Sequence, residues 1–394
     1  MDYKGFERGK ITVFESFSGV GGTRLALNNI GCNVEIVGIS ETNFDSIIMY
    51  DSLHSDSDSS SDLSDEEMLE WIESRNIGKD VFSFYDDGKY GLKEFYEANI
   101  RCKNYGDIAL INPNDLEDFD LMTYRFKPKF IPEMINGEFV HYSHEPTGQV
   151  SGCSRIIASK KPKHLLFESD DGTVGAKYEK DFERWLNFLE GLGYKNYRKD
   201  FRYKEFDTPQ NKKRTFVYST LSDNEFEMPT RADTNLRLKD FLEKTVSRKF
   251  FLRKEFEMLS EDFEDYHCKP FVVAKMIEHN EYLNLSRVIS RNGICTAIQS
   301  SFGGGKVPKV LVRKSTQMKG FSIDGMTVRE ITPLEAWRLS GYSDKDFKKL
   351  SKKIKQKTIL YTNAGRSSNP KILEAIFKTF LQEEIEDEGK EINK

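Results

Sequence analysis

The chain has 394 residues, too many for one compact core, and 38% of them are hydrophobic, with 29 Phe and 17 Tyr to supply buried area. This excludes a disordered chain and predicts one large globular domain with a smaller one. The net charge of −5 excludes a uniformly basic nucleic-acid-binding chain but not a local basic face. There is no signal peptide and no apolar run of about 20 residues, and the five cysteines, Cys32, Cys102, Cys153, Cys268 and Cys295, lack paired or metal-ligand spacing. A soluble cytoplasmic protein with reduced thiols is expected.

In chain order, the apolar run from Ile11 to Phe14 leads into Gly19, Gly21 and Gly22, after which Leu25, Leu27 and Ile30 recur at helical spacing. This predicts strand, tight turn, helix. Glycines let a ligand lie against the turn, and the helix N-terminus offers N–H groups to an anion, so a nucleotide-like cofactor is one reading and a purely structural turn the other. Val34 to Ile39 is a second strand, running to Glu41. That acid stands about twenty residues after the glycines, where nucleotide-binding α/β units accept ribose hydroxyls; an exposed acid at a strand end is the alternative. Residues 55 to 67, SDSDSSSDLSDEE, predict a mobile acidic loop. A helix from Glu66 to Arg75 is expected next, and the region up to Arg101 reads as an insertion before the third strand. Asp107, after Gly106, is placed to accept from an adenine amino group, and FDLMTY at Phe119 to Tyr124 is a buried strand.

Pro162 to Glu168 is another strand with an acid at its C-terminal end, the edge where open α/β sheets hold ligands. An amphipathic helix from Phe182 to Leu192 ends at Gly193, and a polar turn from Thr208 enters the strand Thr215 to Tyr218. Strand and helix alternate to this point, which predicts a mainly parallel sheet flanked by helices. From Pro229 to Arg329 the pattern is irregular and rich in Arg, Lys and aromatics. Arg231, Arg237, Lys306, Lys309, Arg313 and Lys314 read as a DNA-contacting face or as an ordinary solvated one. Thr332, Pro333 and Glu335 predict a capped helix to Leu339, and the last helix is expected from Lys371 to Glu383 with a frayed tail after it.

Taken together, these segments resemble the cytosine-C5 DNA methyltransferases, most closely those of bacteria and phages. FSGVGG at Phe17 to Gly22 is similar to the family's cofactor motif, SETN around Glu41 to its ribose motif and YGDI around Asp107 to its adenine motif. FES at Phe167 to Ser169 stands for Glu-Asn-Val, and PQNKKR at Pro209 to Arg214 for Pro-Gln-x-Arg-x-Arg. REITPLEAWRLSGY at Arg329 to Tyr342 and LYTNAGRSSNP at Leu360 to Pro370 resemble the C-terminal motifs. The resemblance implies an α/β fold of the class I S-adenosylmethionine-dependent methyltransferase type, a mainly parallel doubly wound sheet. Its expected bounds are 1–225 for the cofactor domain, 226–328 for a smaller irregular target-recognition-like domain, 329–384 for helices returning to the first domain and 385–394 for a frayed tail. S-adenosylmethionine or S-adenosylhomocysteine is expected on Phe17, Ser18, Gly19, Gly21, Gly22, Glu41, Asp107 and Ile108. Ala364, Gly365 and Ser367 of the last motif are expected to close that pocket.

The departures concern the chemistry. The family's strand equivalent to FDLMTY runs into Phe-Pro-Cys, whose thiolate adds to C6 of a flipped cytosine; here Lys127, Pro128 and Lys129 fill that place, and no cysteine lies between Cys102 and Cys153. Glu168, Arg214 and Lys212 occupy catalytic positions, but Ser169 and Asp170 replace Asn-Val, Lys212 replaces an Arg, and Arg366 replaces an Asn. Three readings follow. One is a pseudo-methyltransferase that binds cofactor and DNA without transferring a methyl group. Another is an enzyme whose 125–152 loop supplies different chemistry through Lys127, Lys129, His141, Tyr142 or His144, with Cys153 either a remote nucleophile or core packing. The third is an interaction protein with neither ligand. Duplex DNA is expected between the main domain and the Pro229 to Arg329 region, with a second protein, such as an active methyltransferase, as a further partner. Neither a metal nor a membrane is expected.

Overall fold

The structure, a computed structural model, describes residues 10–55, 61–78, 91–126, 133–135, 138–140, 148–170, 178–261, 265, 267–279, 283–300, 306–314 and 321–391. Two compact units share the chain. The first comprises Met1–Phe201, Lys213–Thr230 and Leu373–Lys394, the second Arg202–Lys212 and Arg231–Ile372.

In the first unit, β1 (Ile11–Ser16), β2 (Val34–Ser40) and β3 (Leu121–Tyr124) are followed by a hairpin of β4 (Glu133–Ile135) and β5 (Glu138–Val140). Then come β6 (His164–Asp170), β7 (Lys195–Arg202) and, after β8 (Gln210–Asn211) of the second unit, β9 (Lys213–Thr220). A six-stranded sheet runs in the order β2-β1-β3-β6-β9-β7. Its β1, β2, β3 and β6 are mutually parallel, with Ile11 beside Val34, Val13 beside Leu121 and Leu121 beside His164, while β9 runs antiparallel to β6. Parallel strands require crossovers. The helices α1 (Gly22–Asn29), α2 (Phe44–His54), α3 (Asp65–Ser74), α4 (Leu92–Arg101) and α5 (Gly148–Lys160) lie in those connections, and α6 (Glu179–Gly191) joins β6 to β7.

Phe14, Met122, Leu165, Phe167, Cys153 and Trp185 share one buried core, and the Trp185 indole donates to the Tyr124 hydroxyl at 3.0 Å. This core fixes the C-terminal ends of β1, β2 and β6, the edge from which loops reach a ligand in such sheets. Three expectations change here. Ser64 and Glu67 form a capping box, so the acidic run becomes helix at Asp65 instead of staying a loop. The strand β7 was not expected, because its Lys and Arg alternate with half-buried residues and read as polar surface. The last helix is not frayed from 385: it runs from Pro370 to Glu391.

The region read as irregular is largely a sheet in the second unit. The strands β10 (Phe256–Met258), β11 (Val272–Met276), β12 (Arg287–Ile289), β14 (Lys309–Arg313) and β15 (Met326–Glu330) lie side by side in that order. Phe256, Val273, Met276, Val288, Leu311 and Val328 form its core. The short β13 (Cys295–Thr296) pairs in parallel with β8. After the single turn α7 (Leu283–Ser286) come α8 (Pro333–Leu339), α9 (Asp344–Leu350) and α10 (Lys357–Arg366), so the Pro370–Glu391 helix is α11. Among the described residues no helix is long and apolar enough to cross a membrane.

Candidate functional site

The turn after β1 is built from left-handed residues. Phe17, Gly19 and Gly21 have φ of 53°, 56° and 79°. Glycine bears this without cost, whereas Phe17 holds strain of roughly 1–3 kcal/mol. A Cβ on Gly21 would stand 2.3 Å from Nε2 of His54 and 2.6 Å from the Tyr50 ring, so glycine is also required by space. Nε2 of His54 lies 3.2 and 3.0 Å from the carbonyl oxygens of Val20 and Gly21, and since carbonyls only accept, that nitrogen carries the proton. Gly22 begins α1 behind the turn. The buried Ser16 and Ser18 hydroxyls have no hydrogen-bond partner among the described residues.

Across the turn, Glu41 is held with its carboxylate fully oriented. Its Oε2 accepts from the Gly19 N–H at 2.9 Å, and Oε1 accepts from the Thr42 and Asn43 N–H groups at 2.9 and 2.8 Å. The Asn104 side chain brackets the Glu41 backbone, donating to its carbonyl and accepting from its N–H. Phe17, Ser40, Glu41, Thr42, Asn76, Asp107, Ile108, Ala109, Gly148 and Gln149 line a cavity of about 280 Å³ in this unit. Four residues that the sequence singled out, Phe17, Glu41, Asp107 and Ile108, therefore share one cavity, while Ser18, Gly19, Gly21 and Gly22 form the adjoining turn. Ser40 and Thr42 stand in the SETN motif around Glu41 but were not named individually as site residues. Sequence reasoning missed Asn76, Gly148 and Gln149, which come from distant segments without a signal of their own.

At the C-terminal end of β6, Glu168 and Arg214 pair with Oε1 and Nε 3.6 Å apart, their side chains only 9% and 5% exposed. The register explains the pair. Arg214 lies opposite Asp170, two residues from Glu168 and thus on the same face of the sheet. Ser169, the next residue of the strand, is buried on the opposite face. Arg125, just past β3, donates to the Phe17 carbonyl at 3.1 Å. Cys153 is fully buried in the core, and burial pushes its thiol pKa far up; Cys102 behaves likewise, Cys295 is pushed up to about 12 and half-buried Cys32 to about 11. Lys127, Pro128, Lys129, His141, Tyr142 and His144 lie outside the described residues.

The remaining expected residues fall in the second unit. Lys212 donates from Nζ to the Gly365 carbonyl at 2.7 Å and lies 5.3 Å over the Tyr203 ring. Gly365 packs so closely on the Gln299 backbone that a Cβ would come within 2.0 Å of its oxygen. Ala364 accepts from the Ser340 hydroxyl, and the buried Ser367 hydroxyl donates to the Asn363 carbonyl at 2.5 Å. The expected basic face is narrower than the sequence suggests. Arg237 is 2% exposed and donates to the Leu236 carbonyl, and Lys309 is 5% exposed and donates to the carbonyls of Leu285 and Val307. Burial lowers the Lys309 pKa. Arg231, Lys306 and Arg313 stay exposed, and Arg287, which sequence reading passed over, joins Lys306 and Lys309 in lining a cavity of about 340 Å³.

Solved structures place this architecture in a class. The chain superposes over 94% of its length on 98% of Dnmt2 methyltransferase from S. pombe, with a TM-score of 0.58 and 15% identity. A putative DNA modification methyltransferase from an E. coli prophage gives a TM-score of 0.53 at 14% identity, covering 94% of this chain and 99% of that one. The fold is that of the class I S-adenosylmethionine-dependent methyltransferases. A profile for C-5 cytosine-specific DNA methylases matches residues 143–382. The type II methyltransferase M2.ScrFI of Lactococcus lactis subsp. cremoris is 32% identical over 94% of this chain and 99% of its own. The orphan methyltransferase M.SssI of Spiroplasma monobiae is 25% identical, over 93% and 96% respectively. The chain belongs to the C-5 cytosine-specific DNA methyltransferase family.

The family's methyl donor is S-adenosylmethionine, and the residues present suit it. The cavity joins acceptors at Glu41 and Asp107 to half-buried Phe17, and in the adjoining turn Ser18 has a buried hydroxyl with no partner among the described residues. Bound there, the cofactor would supply an electrophilic methyl group.

Proposed function

We propose that this chain is a cytosine-C5 DNA methyltransferase homologue that binds S-adenosylmethionine and duplex DNA but cannot form the C6 thiolate adduct, and so acts as a pseudo-methyltransferase. The carrying observation is the absence of any cysteine from Lys103 to Gly152, which spans the whole segment between the end of β3 at Tyr124 and α5. The next thiol, Cys153, is sealed in the core with its pKa raised, and the thiolate is the nucleophilic form. Lysine and proline do not substitute: proline has no nucleophilic side chain, and lysine is protonated unless burial strips the proton.

Phe17 stacks on the adenine, Glu41 accepts the ribose hydroxyls and Asp107 accepts from the adenine amine. Ala364, Gly365 and Ser367 stand in the last of the motifs shared with the family. Glu168 and Arg214 remain as a base-binding pair without a nucleophile to serve. The type II methyltransferase names among its relatives favour a restriction–modification setting in the cytoplasm, in which the protein occupies DNA or supports an active enzyme.

Calorimetric titration with S-adenosylhomocysteine is expected to show binding, weakened by roughly 1–3 kcal/mol in Glu41→Ala through loss of a charged acceptor. Duplex DNA incubated with protein and S-adenosylmethionine is expected to yield no 5-methylcytosine by mass spectrometry, and 5-fluorocytosine DNA no covalent complex. Methylation by the purified protein would overturn the pseudoenzyme reading and direct attention to the lysines and histidines of the 125–152 loop.

A further inference from the structure

We propose that Asn76, carried by the insertion between β2 and β3, makes the cofactor site specific for an unsubstituted 6-amino purine. Its side-chain carbonyl accepts one hydrogen of the exocyclic amine, while its NH2 group holds Asp107 in place to accept the other. The inference rests on the cofactor reading above and adds to it a residue contributed by the insertion.

The turn that carries Asn76 is pinned from several sides. The Arg75 carbonyl accepts from the Asp107 N–H at 2.9 Å, and the Gly78 N–H donates to the Thr42 carbonyl at 3.0 Å. The Arg75 guanidinium lies 4.0 Å over the Trp71 ring of α3. Gly106 accommodates this approach, since a Cβ there would stand 2.3 Å from the Arg75 oxygen, and its φ is 79°. Asn76 itself has φ of 51°, a left-handed conformation that Asn tolerates better than most residues.

So placed, Asn76 donates from Nδ2 to Oδ2 of Asp107 at 2.6 Å, and both side chains line the cavity. A carboxylate offers only acceptors, so the amide must turn its NH2 to Asp107, and its oxygen, which has no partner among the described residues, is left for a ligand. Oδ1 of Asp107 accepts from the Ala109 N–H at 3.0 Å, which stops the carboxylate rotating. Each carboxylate oxygen keeps a second lone pair. The site thus presents two fixed acceptors, one from Asp107 and one from Asn76. An exocyclic amine has two donors to match them, whereas a 6-oxo group has none and sets acceptor against acceptor. Sites built around a ligand N–H discriminate strongly against the analogue lacking it.

Calorimetry with S-adenosylhomocysteine, its 6-oxo analogue S-inosylhomocysteine and its N6-methyl analogue tests this on the full chain. The wild type is expected to bind the adenosyl ligand at least about 100-fold more tightly than the inosyl one. It should lose about 10-fold or more on N6-methylation, because both amine hydrogens are engaged. Asn76→Gly keeps the left-handed backbone and should bind the adenosyl ligand about 10-fold more weakly, with the preference over the inosyl ligand reduced by a similar factor. Adenosyl binding by the wild type together with full tolerance of the N6-methyl group, or an unchanged preference in Asn76→Gly, overturns the role of Asn76 while leaving the cofactor reading intact. The N6-methyl arm needs no variant and so stands even if Asn76→Gly fails to fold. A wild type that binds none of the three ligands overturns the cofactor reading, and this inference with it.

Discussion

Glu15, at the end of β1, is a carboxyl wholly inside the first unit, where the Tyr50 hydroxyl donates to Oε2 and the Arg24 N–H donates to Oε1 at 3.2 Å. Desolvation raises its pKa above the carboxylate value of 4.5, outweighing Tyr50, Arg24 and Thr23, which all lower it. The folded chain therefore keeps this proton at pH values where the unfolded chain has released it. The stability linked to Glu15 is complete below the unfolded pKa and is lost as pH rises through the folded one. Glu15→Gln mimics the protonated acid without titrating. Relative to wild type, the variant should gain in urea midpoint as the pH rises above the ordinary carboxylate value of 4.5. A difference between the two proteins that stays constant through that rise would show that Glu15 does not hold the proton.

At the scale of elements, α8 (Pro333–Leu339) was readable in advance because its signals are local. Thr332 accepts from the Glu335 N–H, Glu335 accepts from the Thr332 N–H, and Pro333 opens the first turn. What local pattern did not reveal is that Glu335 is fully buried and also receives both guanidinium arms of Arg329, at 2.8 and 2.7 Å, or that the Thr332 hydroxyl donates to Glu243. Thr332→Ala removes the cap and leaves Glu243 without that donor, so urea unfolding should show a loss of roughly 1–2 kcal/mol, with Thr332→Ser close to wild type. The same contrast governs the candidate site. Phe17, the glycines, Glu41 and Asp107 stand in short motifs and were legible, whereas Asn76 reaches Asp107 from a turn in an insertion with no motif. The sheet at β10 to β15 escaped notice because its strands are three to five residues long and interrupted by polar segments. Arg237 and Lys309 were misplaced because residue type carries no information on burial: both stems lie within the unit, where Arg237 meets the Leu236 carbonyl and the Asp233 carboxylate and Lys309 meets main-chain carbonyls.

At the scale of the whole molecule, the net charge of −5 means that the DNA binding proposed above would rest on local cations rather than on the overall charge. Of the basic residues that the sequence singled out in the second unit, Arg231, Lys306 and Arg313 are exposed. Duplex affinity should fall steeply as salt rises, and reversing Lys306 and Arg313 to Glu should flatten the salt dependence, measured by fluorescence anisotropy. Affinity indifferent to salt would show that these residues are not the contact surface.

The path of the chain through its two units sets an order of assembly in the cell. The first unit opens the sequence but is completed only by Leu373–Lys394. The Asn29 amide donates to Glu374 on α11 across 345 residues, and Phe380 of the same helix stacks on the rings of His164 and Tyr218. A ribosome adding about 5–20 residues per second delivers Asn29 and Glu374 roughly 17–70 s apart. During that interval the apolar surface that receives α11 is exposed on the nascent chain, while the second unit, whose segments are all made before Leu373, finishes first. The amino-terminal half of the protein is therefore the last to gain all of its packing partners.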